Sequence, residues 1–305
     1  MALRVGVIAE YNPFHNGHIY QLQWIKKQWP QCQIIVILSG NYVQRGELAI
    51  ANFESRKSIC MQYGVDEVYE LDFAYATQAA HVFAQGAVKT AVQANVNILV
   101  FGSETNDVDL LYKIAKTIKV QEKYYYQLVR QELKKGISFA KANQLVLETL
   151  IGHSVVLPND ILALEYVKAI VQNDYPIQAI SIARTTGYHS QTAVGQIASA
   201  TYIRQLIFAK NLDYQQYTPM RFEQMPDRIE NHYSQFQELV LKMSLNELQQ
   251  IQLMTEGMEG LFKKHIHLKT YEAFVDACTS RRYTASRIKR VMLYVLLQIK
   301  KPNIK

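Results

Sequence analysis

Short apolar strands alternate with helix-length segments over the first hundred residues, and this alternation restricts the fold more than any other feature of the chain. Four runs rich in β-branched and other apolar residues are typical of strands: residues 3–9, 33–38, 67–71 and 98–101. The segments between them have helical spacing near residues 17–28, 53–63 and 79–95. Strands that are apolar on both faces and separated by helices form a parallel sheet covered on both sides. The sequence therefore predicts an α/β fold with a doubly wound parallel sheet.

Helical spacing dominates the remainder of the chain. From about residue 108 to 172 the pattern is helical, and residues 177–182 are typical of a fifth strand, so we predict that 108–172 is a helical insertion. Beyond Phe208 the strand pattern fades. The clearest helix face there consists of Ile288, Val291, Met292, Val295, Leu296 and Ile299. We therefore predict an α/β domain over residues 1–208 and a small C-terminal helical domain over residues 209–305.

The composition excludes several classes of protein. Of the 305 residues, 49% are hydrophobic and 19% are charged, which excludes disordered and fibrous chains. No run of eighteen apolar residues occurs, and the N-terminus lacks the pattern of a signal peptide, so we expect a cytoplasmic protein without a membrane partner. Cys32, Cys60 and Cys278 are odd in number and lack C-x-x-C spacing, so we expect reduced, structural thiols rather than disulfides or a zinc ribbon.

The positive charge is concentrated at the C-terminal end. Residues 260–305 contain eleven Lys and Arg and two acidic residues, a net charge of +9. The other 259 residues contain 22 basic and 24 acidic residues, a net charge of −2, so the total of +7 arises from the tail. A basic segment on a nearly neutral body is typical of polyanion binding, and a solubilising surface is the alternative. Four arginines are the candidate contacts: Arg281, Arg282, Arg287 and Arg290.

The segment after the first strand has the strongest functional pattern of the chain. Residues 10–18 read E-Y-N-P-F-H-N-G-H and open the first predicted helix, of which Asn16 is the expected N-cap. Gly17 leaves room for a ligand at the backbone, and His15 and His18 fall on one face of the first turn. This point lies at the carboxyl ends of the strands, where an α-phosphate gaining charge as pyrophosphate leaves would meet amides and imidazoles. A capped helix with two surface histidines is the alternative.

A second pattern lies at residues 197–204, which read I-A-S-A-T-Y-I-R. Ser199 and Thr201 are expected to open a helix, and Arg204, one turn further on, is expected to face the β- and γ-phosphates. An ordinary capped helix has the same pattern. Together, the H-x-G-H of the first segment and this second segment resemble the signatures of the nucleotidyltransferase superfamily, which includes class I aminoacyl-tRNA synthetases and adenylyltransferases.

Five further segments make the resemblance closer, and they follow one another in the same order along the chain. They are residues 39–47, 101–104, 158–162, 180–184 and 281–287. With these segments the chain resembles the bacterial tRNA(Met) cytidine acetate ligase family. It departs from the family at three positions, where Leu48, Asp160 and Ala163 replace Pro, Asn and Gly. Members of the family also usually continue for several elements beyond the basic helix.

The resemblance implies a nucleotidyltransferase-like fold with an ATP site. The catalytic residues that it implies are His15, His18 and Arg204. The ATP-binding residues that it implies are Val7, Ala9, Glu10, Tyr11, Asn12, Gly17, Gly102, Asn159, Arg184, Ser199 and Thr201. Three of these have plainer alternatives: Gly102 as a turn glycine, Asn159 as a helix cap and Arg184 as an exposed arginine.

The resemblance also implies a place for the second substrate. Residues 39–47 are polar and follow the second strand, so we expect them to line the acceptor side of the pocket. Gln44 and Arg45 are the candidates for holding acetate or orienting cytosine, and an ion pair with Glu47 is the alternative for Arg45. The four arginines of the basic tail are then the candidates for binding tRNA.

The activity implied by the resemblance is a two-step ligation. Acetate attacks the α-phosphate of ATP, giving acetyl-adenylate and pyrophosphate, and the wobble cytidine of elongator tRNA(Met) then takes the acetyl group and becomes N4-acetylcytidine. ATP is a substrate, its Mg²⁺ is carried by the phosphates rather than by protein ligands, and no DNA partner is expected. Two other functions stay open. The basic tail argues against a small-molecule adenylyltransferase, and the histidine pair with Arg204 argues against a non-catalytic, nucleotide-responsive RNA-binding protein.

Overall fold

The computed structural model describes residues 2–137, 139–152, 160–183, 195–255 and 257–302. The strands within these residues are β1 (Arg4–Ala9), β2 (Gln33–Ser39), β3 (Glu67–Leu71), β4 (Ile98–Ser103) and β5 (Gln178–Ala183). They form one parallel sheet in the order β3-β2-β1-β4-β5. Each of the five predicted strands is confirmed to within two residues at either end.

Helices flank the sheet and continue to the end of the chain. Those of the α/β region are α1 (Asn16–Gln28), α2 (Phe53–Gln62), α3 (Phe73–Ala76), α4 (Ala80–Gln93), α5 (Val108–Val120), α6 (Glu122–Lys134), α7 (Phe139–Ile151), α8 (Ile161–Gln172) and α9 (Ala200–Phe208). Those that follow are α10 (Tyr233–Lys242), α11 (Leu245–Gln249), α12 (Met258–His265), α13 (Tyr271–Cys278) and α14 (Ala285–Leu296). The helices predicted between the first four strands are confirmed as α1, α2 and α4. Among the described residues, none of the helices combines the length and apolar character needed to cross a bilayer.

The strand order creates the place where a ligand can bind. β1 pairs with both β2 and β4, and the chain moves from β1 towards β3 on one side and from β4 to β5 on the other. The loops that leave β1 and β4 therefore diverge, and a crevice opens between them at the carboxyl ends of the strands. The pairing of β1 with β2 runs in register from Arg4 with Gln33 to Ala9 with Leu38, so the loops after these two strands begin at the same level.

Side chains of the sheet alternate between two apolar cores, because successive residues of a strand point to opposite faces. On β2, Ile34 and Val36 belong to the core that includes α1. Ile35 and Ile37 belong to the core on the opposite face, which includes α4, α5 and α8. Both faces of the parallel sheet are covered, which confirms the predicted doubly wound architecture.

The predicted helical region at residues 108–172 consists of α5 to α8. Leu111 and Ile114 of α5 and Val167 of α8 are fully buried in the core that α4 forms on the sheet. α6 and α7 pack on each other and on α5, and Tyr125 Oη donates to Asn143 Oδ1 at 2.6 Å between them. α5 and α8 are therefore part of the α/β core, and α6 and α7 form the outer part of the insertion.

Residues after α9 return to the α/β region before the C-terminal helices begin. Tyr214 and Tyr217 pack on α9, and Thr218 Oγ1 donates to the carbonyl oxygen of Phe14 at 2.5 Å. A separate core begins at Ile229 and joins helices α10 to α14. The domain boundary after residue 208 stays a prediction; the change from one apolar core to the next lies near residue 229.

The apolar face predicted near the C-terminus lies on α14. Its buried members are Ile288, Val291, Met292 and Val295. The helix ends at Leu296, and Gln298 has a positive φ of 52°, which is outside the right-handed helical region. Ile299 therefore lies beyond the helix, contrary to the prediction, although it packs on the same core.

Candidate active site

A cavity of about 300 Å³ lies at the carboxyl ends of β1 and β4. Its volume is at the lower end of the range for small-molecule sites. The predicted site residues that line it are Ala9, Glu10, Tyr11, Asn12, His15, Gly17, His18, Gln44, Arg45, Gly102, Ser199, Thr201 and Arg204. The structure therefore brings together segments that follow β1, β2 and β4 and that open α9, as the strand order requires.

Several predicted site residues lie elsewhere. Val7 is not among the residues that line the cavity; it is 2% exposed and lies in the core beside α1, and its role in binding ATP stays a prediction. Asn159 and Arg184 lie outside the described residues. The four arginines of the basic tail are in the loop before α14 and in its first turns, which pack on the segment after β2.

The histidine pair opens α1 and forms its N-terminal cap. His15 Nδ1 accepts the N–H of Gly17 at 3.1 Å, and His18 Nδ1 accepts the N–H of His15 at 3.1 Å, which is a reciprocal capping box. The two imidazoles stack with ring centroids 3.7 Å apart. Because each Nδ1 is an acceptor, the proton of each neutral ring is on Nε2. The pair therefore supplies two Nε2–H donors at the first turn of a helix.

Asn16 is not the N-cap that the sequence predicts, because His15 takes that position. The side chain of Asn16 instead donates to the carbonyl oxygens of Gln196 at 2.7 Å and Gln216 at 2.9 Å. Its backbone N–H donates to Tyr217 O at 2.9 Å. Asn16 thus joins the start of α1 to the segments that precede and follow α9.

Gly17 leaves room for the His15 ring at the start of α1. A Cβ at this position would lie 2.9 Å from Cε1 of His15, closer than side chains approach one another in folded proteins. Any larger residue would displace the His15 ring from its place over the helix N-terminus. The glycine therefore preserves both the cap and the open approach to the backbone amides.

Arg204 connects α9 to the loop after β1. Its Nη1 donates to Asn12 O at 2.7 Å and its Nη2 donates to Thr201 Oγ1 at 3.3 Å. Ser199 caps the helix by accepting the N–H of Tyr202 at 3.1 Å, which confirms the predicted cap. The guanidinium is thereby held at the cavity wall with its charge directed towards the same loop as the histidines.

Glu10 places a carboxyl group near the guanidinium groups of Arg204 and Arg45. Glu10 Oε1 accepts the backbone N–H of Gln44 at 2.8 Å, which ties the loop after β2 to the end of β1. Removal from bulk water raises the pKa of Glu10, and the Gln44 amide and the charges of Arg204 and Arg45 offset part of that rise. The carboxyl group therefore joins the loop after β1 to the loop after β2 at the cavity wall.

Arg56 supports the site and was missed by sequence reasoning. It is fully buried and donates to Ala51 O at 2.9 Å, to Glu10 O at 2.6 Å and to Gly40 O. Burial lowers its pKa to about 10, an effect partly offset by the charges of Glu10 and Glu70. The guanidinium joins the ends of β1 and β2, and nothing in the helical pattern of α2 distinguishes it from an exposed arginine.

Asp160, one of the departures from the family, organises the turn after β4. One carboxylate oxygen accepts Glu104 N at 2.8 Å, and the other accepts Ser103 Oγ, Thr105 N and Thr105 Oγ1 at 2.9, 2.9 and 2.7 Å. Burial acts to raise the pKa of Asp160, but these hydrogen bonds outweigh it and the pKa is lowered. The carboxylate thus fixes the turn that follows Gly102.

Apolar side chains form the remaining wall of the cavity. They are Phe83, Phe101, Leu162, Tyr166 and Ile182. Gly102 lies among them at the end of β4, where the absence of a side chain leaves the backbone open to a flat group. Among the described residues there is no cluster of three or more His, Cys, Asp and Glu that could hold a metal ion. The arrangement as a whole can bind a molecule with an apolar ring at one end and phosphates at the other.

The sheet order and the histidine-capped first helix are consistent with a nucleotidyltransferase-like fold, and the family model described as HIGH Nucleotidyl Transferase matches residues 2–305. A tRNA(Met) cytidine acetate ligase of Mycoplasma mobile is 52% identical over 98% of this chain and 100% of its own length. That of Caldicellulosiruptor saccharolyticus is 36% identical over 97% of this chain and 77% of its own length. The chain belongs to the tRNA(Met) cytidine acetate ligase family. Its relatives include both chains of similar length and longer ones.

Solved structures agree with this assignment. The apo crystal structure of TmcAL from Thermotoga maritima has a TM-score of 0.89 and 30% sequence identity, and the match covers 98% of this chain and 76% of that one. The structure of the same protein bound with alpha-thio ATP has a TM-score of 0.86 over the same shares of the two chains.

Proposed function

We propose that this chain is an ATP-dependent tRNA(Met) cytidine acetate ligase. It activates acetate as acetyl-adenylate and transfers the acetyl group to the wobble cytidine of elongator tRNA(Met). The observation that carries the proposal is a single cavity, in a chain of this family, that joins the histidine pair and Arg204 to the loop containing Gln44 and Arg45. One group of residues suits phosphates, and the other suits a carboxylate and a base.

ATP occupies the cavity with its base at the apolar end, beside Gly102, and its α-phosphate at the N-terminus of α1. The Nε2–H groups of His15 and His18 and the guanidinium of Arg204 are the donors for the phosphate oxygens. Mg²⁺ carried by the phosphates of ATP would offset part of their negative charge.

The first step is an in-line displacement at phosphorus. A carboxylate oxygen of acetate forms a bond to the α-phosphorus as the bond to the bridging β-oxygen breaks, and pyrophosphate leaves with the electron pair. Negative charge increases on the phosphate oxygens in the transition state, where preorganised donors are most effective. Arg45 lies on the acceptor side, where its positive charge reduces repulsion between acetate and the triphosphate.

The second step transfers the acetyl group. The exocyclic amine of cytidine attacks the acetyl carbonyl carbon, the bond to the phosphate oxygen breaks, and AMP leaves while the amine loses a proton. AMP is a far better leaving group than the oxygen of free acetate, which is why the carboxylate must first be activated. Gln44 and Arg45 orient the acceptor base during this transfer.

The test is a labelling experiment with the purified protein, ATP, radiolabelled acetate and total tRNA. We expect ATP-dependent label in N4-acetylcytidine of tRNA(Met). We expect no labelled tRNA when acetyl-CoA with a radiolabelled acetyl group replaces acetate and ATP. Label in an acetyl-adenylate without transfer to any RNA would favour a small-molecule adenylyltransferase. Failure of acetate to stimulate pyrophosphate release would favour a non-catalytic, nucleotide-responsive RNA-binding protein.

A further inference from the structure

The loop after β2 is a compact hairpin-like segment, here called the acceptor loop and defined as residues 41–49. Tyr42 and Leu48 form an antiparallel bridge, and Val43 N donates to Glu47 O at 3.0 Å. Gly46 N donates to Val43 O at 2.9 Å, which closes the tip. Four residues of the acceptor loop line the cavity: Val43, Gln44, Arg45 and Glu47. The shape of this loop therefore sets where Gln44 and Arg45 stand.

Helix α14 holds one side of the acceptor loop through two basic residues. Lys289 Nζ lies 2.7 Å from Glu47 Oε1, with about a quarter of each side chain exposed. Arg290 Nη1 donates to Gln44 O at 3.4 Å. Glu47 therefore pairs with a residue of α14 that lies 242 positions further along the chain, a partner that the sequence did not predict.

The backbone contact between loop and helix is equally close. Gly46 has a φ of +75°, and a Cβ at this position would lie 2.6 Å from both Cα and N of Arg290. A side chain would therefore meet helix backbone, which cannot move aside as a flexible side chain can. The tip of the acceptor loop is seated on the second turn of α14.

Both partners of this contact are themselves anchored to the α/β region. Tyr294 Oη is 2.9 Å from Thr77 Oγ1 and accepts a hydrogen bond from Gln78 Nε2 at 3.3 Å, which fixes α14 beside α3. On its other side, the acceptor loop is tied to β1 by the bond from Gln44 N to Glu10 Oε1. The carbonyl oxygen of Gln44 is thus bonded to Arg290 of α14, and its N–H is bonded to Glu10 at the end of β1.

Arg290 differs from the other three arginines of the basic tail. Arg281 and Arg282 are exposed, and Arg287 is half-buried over the ring of Tyr283. Burial, followed by repulsion from Arg287, lowers the pKa of Arg290 to about 10. The guanidinium of Arg290 is directed into the contact between the acceptor loop and α14, so it is poorly placed to bind a phosphate of tRNA.

We propose that Lys289 and Arg290 are positioning residues for the acceptor side of the active site. They hold the acceptor loop in the shape that presents Gln44 and Arg45 to acetate and cytidine. The inference rests on the proposed function for its chemistry, but the mechanical link between α14 and the loop is independent of it. The basic tail then has two roles, with outer arginines for tRNA and inner residues for the loop.

The test compares Lys289→Met with Lys264→Met, which removes the same charge from an exposed site on α12. We expect Lys289→Met to raise the KM for acetate in pyrophosphate exchange about tenfold, the size of one lost charge-assisted hydrogen bond. The KM for ATP, the Kd for tRNA and its salt dependence should stay within twofold. The charge-reversed pair, Lys289→Glu with Glu47→Lys, should recover most of the loss that either change causes alone.

Hydrogen exchange of the acceptor loop provides a readout without substrates. The amides of Gln44 and Gly46 should exchange faster in Lys289→Met and at the wild-type rate in Lys264→Met. An unchanged rate of hydrogen exchange at Gln44 and Gly46 in a folded Lys289→Met protein would overturn the proposal. Faster hydrogen exchange with an unchanged KM for acetate would also overturn it. A lower salt dependence of tRNA binding with unchanged KM would make Lys289 a phosphate contact instead. If wild-type protein shows no acetate-dependent exchange, the proposed function fails, while the hydrogen exchange still decides whether α14 holds the loop.

Discussion

Nδ1 of His15 and Nδ1 of His18 both accept backbone N–H groups, and this determines what the two histidines can do. Each neutral imidazole keeps its proton on Nε2, so the pair acts as two hydrogen-bond donors rather than as a donor and a base. Their stacking at 3.7 Å leaves no room for independent rotation. The same bonds that cap α1 therefore fix the direction of the two Nε2–H donors before any ligand binds.

Replacing His18 tests whether the pair serves more than the cap. We expect His18→Ala to reduce acetate-dependent pyrophosphate exchange by a hundredfold or more, because one preorganised donor is lost from the transition state. Loss of the bond to His15 N should also cost about 0.5–2 kcal/mol of stability.

The matched variant His18→Asn separates the two effects. Its side chain can still accept the His15 N–H, but it lacks a donor at the position of Nε2. We expect the exchange activity of His18→Asn to be as low as that of His18→Ala, with a free energy of unfolding closer to wild type. Near-normal exchange in His18→Asn would mean that His18 only caps the helix.

The turn after β4 shows how one element depends on a residue far along the chain. Asp160, at the start of α8, accepts four hydrogen bonds from residues 103–105. The sheet ends there, and the turn must expose Gly102 to the cavity while keeping its own amides paired. One carboxylate satisfies these donors together, because both of its oxygens are acceptors.

Replacing Asp160 with Asn should destabilise the protein in a pH-dependent way. An amide nitrogen cannot accept, so donors of the turn are left unpaired, and we expect a loss of about 1–3 kcal/mol at pH 7. The folded-state pKa of Asp160 is below the unfolded value of 3.8, so its contribution is present above pH 3.8 and disappears as the pH falls through the folded pKa.

Urea unfolding at pH 7 and pH 3 measures this effect, with Asp174→Asn as the control. Asp174 pairs with Lys119, but its side chain is 84% exposed, so we expect a change below about 0.5 kcal/mol. The difference in free energy of unfolding between wild type and Asp160→Asn should be smaller at pH 3 than at pH 7. An equal difference at both pH values would show that the carboxylate charge does not stabilise the turn.

The elements and their order could be predicted from the sequence, whereas the bonds that lock the site could not. Strands such as β2 are apolar on both faces and bounded by helices, and that pattern is local. The bonds that lock the site join residues that are far apart in the sequence. Arg56 bonds to Glu10 over 46 positions, Lys289 bonds to Glu47 over 242 positions, and Asp160 bonds to Glu104 over 56 positions. No periodicity encodes such pairings. The cap by His15 in place of Asn16 was missed because the sequence allows either residue to accept the first amides.

At the scale of the whole molecule, the two ends of the chain meet at one site. The loop after β1 contributes the histidine pair to the cavity, and α14 contacts the acceptor loop some 240 residues later, so the C-terminal region packs on a loop that lines the cavity and also carries the charge excess. This arrangement suits an enzyme with a small and a very large substrate. Contacts for the large one can lie on the outer face of the same helix that shapes the pocket for the small one.

The outer arginines of the basic tail should govern tRNA binding without affecting the first chemical step. We expect the triple variant Arg281→Gln, Arg282→Gln, Arg287→Gln to bind tRNA more weakly, because contacts with phosphates are lost. Each lost contact should also lower the slope of log K against log salt concentration by about one. Acetyl-adenylate forms without tRNA, so acetate-dependent pyrophosphate exchange should persist. Filter binding at several salt concentrations, together with exchange assays, measures both quantities.

The control changes Lys116, Lys123 and Lys134 to Gln, which removes the same charge from α5 and α6. Equal weakening by both triple variants would indicate a general effect of net charge, and loss of exchange in the arginine variant would indicate a role of these residues in folding.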